Sequence, residues 1–116
     1  MEFDRFTVVL LELRPDAPQL DDTAADALQD AHLDHLATLH EQGHLLAAGP
    51  LAGAGEFRGL SVMRTDEEES RRLKESDPAV QAGRFSLRVI TWQVPAGAVS
   101  FAPARFPHSI AEVLGP

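Results

Sequence analysis

Phe6-Thr7-Val8-Val9-Leu10-Leu11 is apolar at nearly every position and rich in β-branched and aromatic residues. This predicts a first strand covered on both faces. Arg14-Pro15-Asp16-Ala17-Pro18 ends it, because proline fixes φ and removes backbone donors. Asp21, Asp22 or Thr23 can then cap a long helix to about Gln42, with Gly43 as its stop. At 100° per residue, Ala24, Ala25, Leu28, Ala31, His32, His35, Leu36 and Leu39 gather on one face. Two histidines therefore lie inside an apolar stripe.

His44 to Pro50 reads as a short second strand ending in a Gly-Pro breaker. Leu51 to Glu56 is a turn with two glycines, and Phe57 to Arg64 a third strand, antiparallel to the second. Thr65-Asp66-Glu67-Glu68 has the form of a capping box, with Thr65 at the cap. The helix behind it, to about Glu75, offers Glu67–Arg71 and Glu68–Arg72 pairs at i, i+4. Its apolar face is essentially Leu73 alone, so the charge run from Asp66 to Lys74 is expected to be solvated. Ser76-Asp77-Pro78 opens one more turn of helix, since proline suits a first helical position, and Gly83 closes it. Phe85 to Trp92 is the last strand. Beyond Pro95 lies an irregular tail in which Ser109 to Leu114 can form one or two helical turns.

The order β-α-β-β-α-(α)-β predicts an α+β, ferredoxin-like βαββαβ domain over residues 1–94. Its four-stranded antiparallel sheet would carry helices on one face. Residues 95–116 would be a tail docking on the domain or on a partner subunit. The strands are apolar on both sides, so the open sheet face is expected to be hidden in a sheet-to-sheet homodimer.

Composition narrows the function. A chain of 116 residues has room for a single core. No cysteine is present, which excludes disulfides, thiolate metal sites and cysteine nucleophiles and suits a reducing cytoplasm. The net charge of −8 repels phosphate backbones. The small basic cluster of Arg71, Arg72 and Lys74 is surrounded by glutamates, so no nucleic-acid role is expected. Acidic Glu2 and Asp4 stand where a secretory signal would carry basic residues, and no apolar run is long enough for a membrane span. A cytoplasmic protein with no membrane association is the expectation.

Two segments resemble a known family. Ala31-His32-Leu33-Asp34-His35-Leu36, followed by Gly43-His44-Leu45-Leu46-Ala47-Ala48-Gly49-Pro50, is similar to the YciI-like (YCII-related) pattern of a helix histidine before a G-x-L-L-x-A-G-P strand. Ser76-Asp77-Pro78-Ala79-Val80-Gln81-Ala82-Gly83 resembles the same family's D-P-x-x-x-A-G segment. The likeness spans roughly residues 5 to 94. It implies a ferredoxin-like fold, a dimeric α+β barrel and a His–Asp pair; aligned on Gly49-Pro50, the histidine is His32 and the aspartate Asp77. Two features depart from the family pattern: Gln29-Asp30 replaces a basic residue before the histidine, and the tail extends past the shortest members.

Histidine suits proton transfer at neutral pH, and a carboxylate on one ring nitrogen fixes the tautomer while freeing the other. His32 and Asp77 are thus the candidate catalytic residues, with Gly49, Pro50 and His35 expected to line the pocket. The resemblance implies lyase or isomerase chemistry without a cofactor, since family members include a dehydrochlorinase and relatives of the barrel include lactone isomerases. The alternative is a non-catalytic small-molecule-binding or interaction module. Without the family, His32 reads first as a hydrogen-bonded core or interface histidine, and Asp77 equally as an N-cap; capping and imidazole binding are compatible. His35 at i+3 from His32 lacks a further placed ligand, so no metal site is expected. His40 and His44 are expected to be solvated. The Gly53–Gly55 loop opens no helix and is no phosphate cradle.

Overall fold

The computed structural model describes residues 1–115. Four strands, β1 (Phe3–Leu13), β2 (Leu45–Pro50), β3 (Phe57–Met63) and β4 (Phe85–Pro95), form one antiparallel sheet in the order β2-β3-β1-β4. Helices α1 (Asp22–Glu41), α2 (Glu67–Glu75) and α3 (Pro78–Gln81) fill the crossovers, and α4 (Ile110–Leu114) lies in the tail. This order is the ferredoxin-like arrangement that the element pattern predicts.

β1 and β4 extend past their apolar runs because each supplies the other's backbone partners from Phe3↔Pro95 to Leu13↔Phe85. Backbone pairing is indifferent to whether Asp4, Arg5 or Gln93 is apolar. The helix-facing side of the sheet carries Val9 and Met63, packed with Leu39, Leu45 and Leu73, and Leu11, packed with Ala79 and Phe85. On the opposite side, register places Val8 beside Val62 and Ile90, Leu10 beside Leu60, and Phe6 beside Trp92. Within one chain β1 is therefore fully covered on one face only; Ile90 and Trp92 remain 48% and 38% exposed.

α1 starts at Asp21, whose side chain accepts the Ala24 N–H. It ends in a Schellman turn: Gly43, at φ +84°, donates to His40 O, and His44 donates to Leu39 O. α3 closes the same way, with Gly83 and Arg84 donating to Val80 O and Ala79 O. The first turns of α1 overhang the sheet. Ala24 and Ala25 are exposed despite their place on the apolar stripe, because a 20-residue helix outruns the six- and seven-residue strands beneath it.

The expectations for α2 need correction. Its cap is Asp66, not Thr65: the carboxylate accepts the Glu69 N–H at 2.9 Å, while the Thr65 hydroxyl engages Ser70. The ion pairs are Glu69–Arg72 and Arg71–Glu75 rather than the i, i+4 pairs from Glu67 and Glu68. Nor is the charged face solvated throughout. Ser70, Leu73 and Lys74 share one side at i, i+3, i+4 and are all buried. Among the described residues, no helix is long and apolar enough to cross a membrane.

Candidate functional site

α1 brings His32 to the sheet, and the α2–α3 junction brings Asp77 to meet it. Asp77 is the N-cap of α3: one carboxylate oxygen accepts the Ala79 N–H at 2.9 Å. The other lies 2.7 Å from His32 Nδ1. Capping and imidazole binding thus coexist in one carboxylate, whose side chain is wholly buried. Burial pushes its carboxyl upward, but the His32 bond and charge, the Ala79 N–H and nearby Lys74 together hold it below the usual carboxylate range. An ionised Asp77 only accepts, so Nδ1 carries the hydrogen and Nε2 of a neutral His32 keeps its lone pair.

His32 forms part of the wall of a cleft of about 470 Å³ between α1, the sheet and the tail, a volume suited to a small molecule. Gly49 and Pro50 line it. His35 does not. It turns to the Leu73 carbonyl, Nε2 at 3.1 Å, and burial lowers its pKa, which leaves it a neutral structural donor beside the site. Most of the remaining lining is apolar, including Leu33, Leu36 and Phe85; Phe106, Ile110 and Val113 of the tail close one side.

The tail is tied down by specific contacts. His108 reaches Asp34 at 2.6 Å and Glu41 at 2.7 Å on α1, and the Ile110 N–H donates to Asp30. His40 is not free in solvent: its ring nitrogens lie 2.7 and 3.0 Å from the Leu45 and Ala104 carbonyl oxygens. Phe106 stacks on it at 4.0 Å.

Sequence reasoning missed Ser61 and Lys74. Ser61 pairs with Val9 on the helix-facing side of the sheet and lines the cleft. Lys74, with 0% exposure, donates to its hydroxyl at 3.1 Å. A serine at an inward strand position, and a lysine next to the single apolar anchor of α2, were the available signals. Among the described residues, no three His, Asp or Glu side chains converge as a metal-binding set.

A ferredoxin-like α+β domain with a histidine–aspartate contact at a cleft beneath its first helix is the class that these features define. Residues 6–93 match the model of the YCII-related domain, and the chain belongs to that family. Protein YciI of Escherichia coli is 35% identical over 68 residues, covering 51% of this chain and 69% of the relative. Protein YciI of Shigella flexneri matches to the same extent. Among solved structures, the 5-chloro-2-hydroxyhydroquinone dehydrochlorinase of Burkholderia phenoliruptrix, in complex with 2,5-dihydroxybenzoquinone, superimposes with a TM-score of 0.51. It shares 24% identity, and the match covers 79% of this chain and 95% of that one.

Proposed function

We propose that the protein is an enzyme of lyase or isomerase type that moves protons on a small, enolisable molecule, with His32 as general base and Asp77 as its orienting partner. The observation that carries this reading is the 2.7 Å contact between His32 Nδ1 and a buried, ionised carboxylate, at the wall of a cleft. The carboxylate fixes the ring, stabilises the imidazolium that forms and leaves Nε2 to the ligand. Gly49 and Pro50 border the cleft. Such a reaction needs a base beside an acidic hydrogen and an oxygen to receive the electron pair.

The solved relative suggests the test substrate. In dehydrochlorination of 5-chloro-2-hydroxyhydroquinone, one hydroxyl proton passes to the chlorine-bearing carbon and a second to His32. Chloride leaves with the C–Cl bonding pair, and the ring becomes a quinone. Chloride release by the wild type should fall by about 100-fold or more in His32→Ala, the scale of a lost general base. A folded His32→Ala variant with unchanged turnover removes His32 from the role. Binding of 2,5-dihydroxybenzoquinone with no turnover by the wild type would favour a non-catalytic binding module.

The same reading includes a homodimer joined sheet to sheet. Val8, Leu10, Leu60, Ile90 and Trp92 form an apolar face on the side of the sheet that the helices leave open. Burying such a face is the main driving force for association.

A further inference from the structure

Lys74 is the least expected residue of the core. Its side chain is completely buried, and its ammonium donates to Ser61 Oγ at 3.1 Å. Burial lowers its pKa from 10.5 to about 8, with Asp77 pulling the other way, so the ammonium form still dominates at neutral pH. A Met in this place would fill similar space without desolvating a charge. Ser61 accepts from Lys74, and among the described residues no side-chain hydrogen bond takes the proton of its own hydroxyl. Ser61 and His32 line the same cleft, and Asp77 is bonded to His32 and close enough to Lys74 to shift it.

We propose that Ser61 is a ligand-binding residue held by Lys74 as its positioning residue, and that the two form the oxygen-binding end of the cleft. The ligand class is a small planar molecule with a carbonyl or phenolate oxygen at Ser61 and its acidic hydrogen at His32 Nε2. The inference rests on the base role of His32 given above, and it adds the group that receives the charge. Before reaction, Lys74 and Asp77 offset each other, and the base role of His32 requires a neutral imidazole. When His32 takes the proton, the bonding pair moves onto the ligand oxygen. The imidazolium and the oxyanion then balance in turn, so the proton transfer leaves the net charge of the cleft unchanged. A hydroxyl backed by an ammonium is the donor such an oxygen requires, fixed in place before charge develops.

The test is binding of 2,5-dihydroxybenzoquinone, followed by its visible absorbance, to the wild type, Ser61→Ala, Lys74→Met and the double variant. Circular dichroism verifies that each is folded. Each single change should weaken binding by about 10- to 100-fold, the range for a charge-assisted hydrogen bond. The double variant should be no weaker than the worse single one, because the two residues act in series. Wild-type affinity should also decline above pH 8 as Lys74 loses its proton, and Lys74→Met should lack that decline; a purely structural lysine would not produce this difference. Wild-type affinity in Ser61→Ala overturns the proposal, as does failure of the wild type to bind the quinone. Neither arm needs turnover, so these results stand apart from the His32→Ala test of the base.

Discussion

Replacing Lys74 by Met should change not only stability but the way stability depends on pH. Burial lowers the Lys74 ammonium from 10.5 to about 8. Between those values the unfolded chain holds a proton that the folded chain has released, so this residue makes stability rise with pH across that window. Below pH 8 the folded protein bears the full cost of keeping the ion buried. A fall from 10.5 to about 8 corresponds to about 3 kcal/mol, of which about 2 kcal/mol should be recovered between pH 7 and 9.5. Lys74→Met lacks the titrating group but keeps the apolar stem, and the other ionisable groups cancel in the comparison. Urea unfolding of both proteins at one fixed concentration, followed by fluorescence of the single tryptophan, Trp92, measures the difference. The stability of wild type minus Lys74→Met should climb by about 2 kcal/mol over that interval. A flat difference would mean that the ammonium is not desolvated. A falling one would mean that attraction to Asp77 outweighs desolvation.

Three further outcomes are expected. His108 is held above its ordinary value by its hydrogen bonds to Asp34 and Glu41. Its stabilisation of the tail should be complete below about pH 6.5 and should fade as pH rises through the raised value. The melting-temperature gap between wild type and His108→Asn should therefore be widest in acid and close toward alkaline pH. Asp77→Ala removes the α3 cap and strands His32 Nδ1 without its acceptor; it should cost about 3 kcal/mol in chemical denaturation, far more than an exposed substitution such as Glu68→Ala. Ile90→Glu places a charge on the open sheet face, on the edge strand β4 beside Val8. It should convert the proposed dimer to a monomer by light scattering while the far-ultraviolet circular dichroism is retained.

The fold was legible because local signals agreed. Asp21 and Gly43 bracket α1 with a side-chain cap and a Schellman turn, and the strands carry β-branched runs between Gly and Pro breakers. The His32–Asp77 contact could be anticipated only because two motif fragments matched a family, since no periodicity links residues 45 positions apart. The run from Asp66 to Lys74 looks solvated in the sequence, yet a face at i, i+3, i+4 follows its anchor, and Leu73 draws Lys74 and Ser70 inward with it. His35 shares the apolar stripe with His32, but its position one turn on puts it opposite the Leu73 carbonyl. The tail gave no periodic signal. Its place depends on single contacts, His108 to two acids and Phe106 to His40.

The base role of His32 turns on where one proton sits, and nitrogen-15 spectroscopy of the ring reads it directly. At neutral pH the spectrum should show hydrogen on Nδ1 and an unprotonated Nε2, and the Nε2 resonance should move when 2,5-dihydroxybenzoquinone is added. Hydrogen on Nε2 in the neutral ring, or a resonance that ignores a bound quinone, would contradict a base poised at the cleft.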